Sequence, residues 1–293
     1  MRASDTRSFD PIRYGAYICL SVPAASQAAT ASADVPALAE RLGLCNEYGS
    51  AGGDPPQSIA YLRRVSAVPG QVTDAGLLGA EAIVHVAAMA PEPITEFRAG
   101  LARLLGPAVT PRVLAGVVRP LGYTGQAMFN FSYAERVLQQ PAAVMPNAFL
   151  VPVSKTAGWW RKDWMERHTY FLPRYDDAGA MRNQGHALAA AEGIACLLRR
   201  TYKSIAEPAA DGDFDFVSYF ECADADVPVF HEVCGALHDL TRNPEWAFVR
   251  EGPTWRRVTG SSPAASRRPA RPPSSTTEAR RRCSSTALPR PPP

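Results

Sequence analysis

Ala82-Ile-Val-His-Val-Ala-Ala88 leading to Ile94-x-x-Phe97-x-x-x-Leu101-x-x-Leu104, and Asp215-Phe-Val-Ser-Tyr-Phe-Glu221 leading to Val229-Phe230-x-x-Val233-x-x-x-Leu237, are two renderings of one pattern. Each begins with a short run of the composition that favours a strand. Each passes through an acidic segment containing proline, which suits a helix start. Each then sets apolar residues at helical spacing, marking one buried face. A further strand follows each helix: Arg112-Val-Leu-Ala-Gly-Val-Val118 in the first copy and Glu245-Trp-Ala-Phe-Val-Arg250 in the second. The copies keep step without gaps, because Phe97 and Phe230, Leu104 and Leu237, and Pro120 and Pro253 are all 133 residues apart.

The repeat extends upstream. Tyr61-Leu-Arg-Arg64 stands opposite Leu197-Leu-Arg-Arg200, three residues out of step, and earlier strands are expected at Tyr14 to Val22 and Ala148-Phe-Leu-Val-Pro-Val153. The order in each copy is β-α-β-β-α-β, the ferredoxin-like unit. The predicted fold is therefore α+β: two ferredoxin-like halves, with antiparallel sheets and helices on the outside, packed together or enclosing a ligand. The boundaries are 1–146 for an irregular first half, 147–258 for the second, and 259–293 for a tail. Residues 45–58 are rich in Gly and Pro and read as a loop.

The tail is Ser, Pro, Ala, Arg and Thr with almost no large apolar residue, so it is expected to be disordered. Its abrupt onset after Val258 also fits a shifted reading frame. It carries seven Arg and one Glu, which leaves the first 260 residues with a balance of −3 against +3 for the chain. A mildly acidic body has no nucleic-acid footprint. No apolar run reaches the ~20 residues of a membrane span. Residues Tyr14 to Ala29 lack the basic start of a signal peptide, so a cytoplasmic protein is expected. Six cysteines scattered through apolar segments, none in a C-x-x-C pair, read as reduced, buried thiols.

No P-loop, G-x-G-x-x-G, G-x-S-x-G or H-E-x-x-H motif is present, so the chemistry must come from scattered residues, and these concentrate in the second copy. His186 lies in Gly185-His-Ala-Leu-Ala-Ala-Ala-Glu192, an Ala-rich helix ending at Gly193. It is either a core histidine held by one hydrogen bond or an axial ligand, since small neighbours let a flat macrocycle approach. Arg199 and Arg200 alternate on one strand, so one should face solvent and the other inward. An inward arginine needs an anion, whether a ligand or Asp213, Asp215 or Glu221. Trp159-Trp160 follows the strand 148–153 and reads as core, interface or cofactor contact. Glu245, at the start of the last strand, is either exposed or a partner for a ligating histidine. His85 and His231 read as ordinary strand and helix residues and His238 as solvated. His168, in the aromatic-rich stretch 164–177, is the rival ligand to His186.

In order and spacing these segments resemble the chlorite dismutase-like family of haem proteins. The resemblance covers about residues 147–258: Pro152-Val-Ser-Lys-Thr-Ala-Gly-Trp-Trp160, Gly185-His186, Leu197-Leu-Arg199-Arg-Thr-Tyr202, Asp213-Phe-Asp-Phe-Val-Ser-Tyr-Phe-Glu221 and Asn243-Pro-Glu-Trp246. The family's fold is a pair of ferredoxin-like halves, a dimeric α+β barrel, with haem in the second half. The resemblance implies that His186 ligates haem b iron, thirteen residues ahead of a distal Arg199. It places Tyr202, Trp159 and Trp160 near the cofactor, and Glu245 behind His186. The span from Trp160 to His186 is about a dozen residues longer than in typical members and holds His168.

Within the family a distal arginine accompanies decomposition of chlorite to chloride and dioxygen. Arg199 is thus expected to hold the anionic chlorine oxide by charge-assisted hydrogen bonds. The alternatives are a decarboxylase of coproporphyrin-type iron porphyrin using Tyr123 or Tyr133, a haem binder with weak peroxidase activity, and a non-enzymatic ferredoxin-like module. The implied partners are chlorite or peroxide and other copies of the chain, for which the resemblance implies a ring of five; no nucleic acid or membrane is expected.

Overall fold

The structure is a computed structural model that describes residues 14–21, 34–44, 61–63, 65–68, 70–72, 75–107, 110–118, 145–204 and 214–257. These all fall within one compact unit, Met1–Thr259. The loop 45–58, Cys45, Tyr123, Tyr133, Asp213, Cys283 and the tail 259–293 lie outside the described residues.

The first half contains β1 (Tyr14–Ser21), α1 (Asp34–Arg41), β2 (Tyr61–Arg63), β3 (Val65–Val68), α2 (Ala75–Leu78), β4 (Ala82–Ala88), α3 (Pro91–Leu105) and β5 (Thr110–Val118). The second begins with β6 (Asn147–Lys155), α4 (Ala157–Trp160), α5 (Trp164–Thr169) and a small hairpin of β7 (Arg174–Tyr175) and β8 (Met181–Asn183). It continues through α6 (Gly185–Ala189), β9 (Leu198–Ser204), β10 (Phe216–Cys222), α7 (Val227–His238), β11 (Val249–Glu251) and β12 (Thr254–Arg257). The mixed α and antiparallel β architecture is the one the repeat predicts.

The strands run β2-β4-β1-β5-β9-β10-β6-β12-β3 in one sheet, with β11 also on β6. The halves meet where Val65–Val68 of β3 pairs with Thr254–Arg257 of β12, and again where Gly116–Val118 of β5 pairs with Tyr202–Ser204 of β9. Gly116 makes this seam possible, because a Cβ there would stand 2.2 Å from the Lys203 carbonyl oxygen. The path is open rather than a closed barrel, and its end strands, β2 and β3, are separated in the chain by one residue. One face of the sheet packs on itself: Tyr17, Leu114, Leu150, Tyr202, Tyr219 and Trp255, from six strands, share a core. The other face is covered by α1 and α3 in the first half and by α6 and α7 in the second.

Two local expectations are corrected. Leu104 is 44% exposed, and Leu105 packs on the core in its place. The buried face of α3 thus runs Ile94, Phe97, Leu101, Leu105, drifting with the 3.6-residue turn. The last strand does not begin at Glu245: Pro244–Phe248 is a 3-10 turn, and the strand starts at Val249. Pro244 has no N–H for a ladder and fixes its φ near helical values, so the chain turns there. Among the described residues, no helix is long and apolar enough to cross a membrane.

Candidate functional site

A cleft open to solvent lies between the helix-covered face of the second half and helices α6 and α7. Its sheet wall follows from strand periodicity. Val151, Val153 and Lys155 of β6, Phe216, Ser218 and Phe220 of β10, and Arg199 and Thr201 of β9 all point the same way. Register places Ser218 beside both Val151 and Thr201, and the Ser218 and Thr201 hydroxyls are 3.2 Å apart. The helix wall is Val233, Cys234, Leu237 and His238 of α7, with His186 and Ala190 beside them.

His186 is the chemical centre of that wall. Its Nδ1–H donates to Glu245 Oε2 at 2.7 Å, and Nε2 has no hydrogen-bond partner among the described residues. Glu245 is 2% exposed. Its other carboxylate oxygen accepts from the Lys155 ammonium, which sits 4.4 Å above the Trp159 ring. Burial alone would raise the Glu245 pKa, but the charges of Lys155 and His186 and their hydrogen bonds outweigh it and hold the group down to about 2. A carboxylate fixed in its ionised form behind an imidazole locks the tautomer and leaves Nε2 as the free donor atom. The 3-10 turn aims Glu245 inward, which the strand reading could not anticipate.

Arg199 is half-buried and lines the same cleft as His186. Arg200, expected on a solvent face, is buried at 9% exposure. Both faces of β9 are covered, so alternation here separates two interiors rather than inside from outside. Asp215 accepts from the Lys155 backbone N–H at 2.6 Å and from Trp160 Nε1 at 3.3 Å, and burial raises its pKa against these bonds. Glu221 accepts from the Tyr219 hydroxyl.

The other predicted residues fall elsewhere. Tyr202 points away from the cleft, into the self-packed core against Tyr17 and His85. It shares its strand face with Arg200, one residue out of phase with Arg199. Trp159 is fully buried among Tyr170, Phe171 and Phe248, and supports Lys155 from behind. Trp160 stacks on Phe216. Neither tryptophan is among the cleft-lining residues. His168 lies on α5 outside the cleft, with its Nδ1 buried and unbonded among the described residues. His238 is not simply solvated: it lines the cleft, donates from Nε2 to Glu251 at 3.0 Å and meets the Trp246 ring at a tilt, with centroids 5.1 Å apart.

Sequence reasoning missed Lys155, although its signal was present: a lysine in phase with Val151 and Val153 on an apolar strand needs an anion. Among the described cysteines, Cys19 and Cys222 are buried and Cys196 and Cys234 half-buried. Burial pushes Cys222 up to about 11 and Cys234, on the cleft wall, up to about 12.

Taken as a class, this is a ferredoxin-like α+β protein with one open imidazole and one arginine facing an apolar cleft. Solved structures of that fold exist. A cyanide complex of a tryptophan-to-phenylalanine variant of chlorite dismutase from Candidatus Nitrospira defluvii is 18% identical, with a TM-score of 0.51, covering 83% of this chain and 90% of that one. The imidazole complex of the same organism's enzyme gives 19%, 0.51, 83% and 90%. An arginine-to-glutamate variant gives 18%, 0.51, 83% and 91%. The chain therefore has the fold of the chlorite dismutases. No sequence family model matches it, and no curated protein matches it by sequence.

Proposed function

We propose that this protein is a divergent member of the chlorite dismutase-like family, a haem b-dependent oxidoreductase that decomposes chlorite to chloride and dioxygen. The observation that carries the reading is that His186, backed by a buried carboxylate, and Arg199 line one largely apolar cleft. The donor set fits a haem. Among the described residues no three His, Cys, Asp or Glu side chains converge to hold a bare metal ion. A single imidazole with a free Nε2, beside the small side chain of Ala190, suits iron that brings its own macrocycle.

His186 would hold the haem iron through its Nε2. When bound, the haem supplies an iron able to take oxygen from a chlorine oxyanion. The protein's own groups do the rest. Glu245 accepts the Nδ1–H of His186 and makes the ring a stronger donor, while Lys155 keeps Glu245 ionised. Arg199 offers a fixed fork of N–H donors to an anion and does not lose its charge at any working pH. Phe216, Phe220 and Val151 keep water from competing for those donors. The same reading makes the protein a cytoplasmic homo-oligomer, a pentamer, which sedimentation equilibrium tests directly.

The deciding experiment is an absorption spectrum of the purified protein with and without added haemin, followed by an oxygen-electrode trace on adding chlorite. A Soret band with O2 release is expected. A Soret band without O2 would overturn the chlorite assignment and send the cleft to peroxide or iron coproporphyrin as substrate. No Soret band would overturn the haem. Arg199→Ala should keep the Soret band and lower chlorite turnover about a hundredfold; unchanged turnover and lifetime would remove the arginine from the reaction.

A further inference from the structure

Helix α6 carries His186 but has only five residues, Gly185–Ala189, too few to set its own direction. Its backbone is held from two sides. The N–H groups of His186 and Ala187 donate to the carbonyls of Tyr170 and Phe171, each at 3.0 Å. The Arg242 carbonyl accepts from Gln184 N–H at 2.9 Å and Gly185 N–H at 3.1 Å, and Arg242 Nε donates to Gln184 Oε1 at 2.8 Å. Three residues after Arg242, Glu245 takes the ring of the same histidine. Phe171, 2% exposed, lies 5.3 Å from that ring and lines the cleft.

Gly185 lies where these holds meet. It is buried, with φ +64°, and a Cβ there would stand 2.4 Å from the Leu172 carbonyl oxygen and 2.9 Å from the Leu172 nitrogen. Any other residue is strained in the left-handed region and also collides with the backbone next to Tyr170 and Phe171. Gly179, in the turn between β7 and β8, has φ +79° and nothing within 4 Å of its would-be Cβ. The second glycine shares the backbone requirement and lacks the contact.

Resting on the reading of His186 as the ligand, we infer that residues 170–185 form a strap that fixes this histidine through its backbone, with Gly185 as the positioning residue that lets strap and ligand helix touch. Glu245 fixes the ring's rotation and the strap fixes where the ring starts. Together they leave Nε2 one direction in which to point. Without the strap the imidazole loses its aim, and with it the fixed geometry of its bond to Glu245.

The test compares Gly185→Ala with Gly179→Ala in the full-length chain. Haem affinity by Soret titration should fall about ten- to a hundredfold in Gly185→Ala and stay unchanged in Gly179→Ala. In protein without added haem, the proton NMR signal of the His186 Nδ1–H bound to Glu245 should persist in the Gly179 variant and vanish or broaden in the Gly185 variant. Wild-type affinity and an intact Nδ1–H signal in Gly185→Ala would overturn the strap. If the unmodified protein takes up no haem, the ligand reading falls and the NMR comparison decides the strap alone. If Gly185→Ala does not fold by circular dichroism, Arg242→Met replaces it. That variant removes the Gln184 side-chain bond and the Arg242 charge near Asp239 but keeps the Arg242 carbonyl; it should move both readouts the same way, and no movement overturns the strap.

Discussion

At the scale of single residues, the cleft distinguishes histidines that look alike in sequence. His186 lies 5.3 Å from the Phe171 ring, and of His186 and His168 only the first combines a carboxylate on Nδ1 with a place in the cleft wall. His186→Ala should abolish haem uptake and His168→Ala should retain it, read as Soret absorbance after desalting; the reverse pattern would move the ligand to α5. His238 belongs to a different chemistry. Its hydrogen bond to Glu251 raises its pKa, against the lowering effect of burial, and its place in the last turn of α7 favours the cation further. A raised histidine contributes stability that is full below its unfolded value of about 6.5 and is lost as pH rises through the folded value. The Tm difference between wild type and Glu251→Gln should therefore be largest near pH ~6 and vanish by pH ~9. A difference independent of pH would mean that the pair packs without titrating. His186 and Arg199 stand out in the sequence as polar residues in small-residue and apolar surroundings, whereas Glu245 reads as an exposed strand residue and is set behind His186 only by the resemblance. The Glu251 partner of His238 was not legible, because it comes from a strand that the sequence assigned to other residues.

At the scale of elements, the period-two strands and the apolar stripe of α7 were readable, since burial of one face imposes both patterns. The 3-10 turn Pro244–Phe248 was not, because Trp246, Phe248 and Val249 also satisfy a strand pattern and only the missing N–H of Pro244 argues against it. Helix α7 carries four cleft residues and is docked by Phe230, which stacks on Phe149 with centroids 3.8 Å apart and meets Phe220 edge-on. Phe230→Ala leaves a cavity that neighbouring rings cannot fill, and should cost about 3–5 kcal/mol in urea unfolding. Because α7 also forms the wall against His186, the same variant should weaken haem uptake. Lost stability with wild-type haem affinity would show that the cleft does not depend on the seating of α7.

At the scale of the whole molecule, the question is what joins two copies of one unit into a single body. The repeat predicted both copies, but not the seam, where β5 and β9 share three register pairs and Tyr202 enters the first half. The Tyr202 ring fills the space over Gly15, where a Cβ would stand 2.4 Å from it, and meets Tyr17 at 5.8 Å and His85 at 6.3 Å. The resemblance assigns Tyr202 to the cofactor, whereas its direction along β9 assigns it to the joint between halves, and the two roles predict different losses. Tyr202→Ala should lose about 3–5 kcal/mol of stability and keep wild-type haem affinity, since the residue faces away from His186. The pairing with Gly15 can be isolated by a double-mutant cycle. Gly15→Ala should destabilise the wild type, where the new methyl meets the ring. In the Tyr202→Ala background the ring is gone, and alanine in a strand is favoured over glycine by about 0.5–1 kcal/mol. The same substitution should then stabilise, so the sign reverses between backgrounds. An equal cost in both would mean that Gly15 answers to the backbone alone, and that the halves are held by their ladder without the tyrosine.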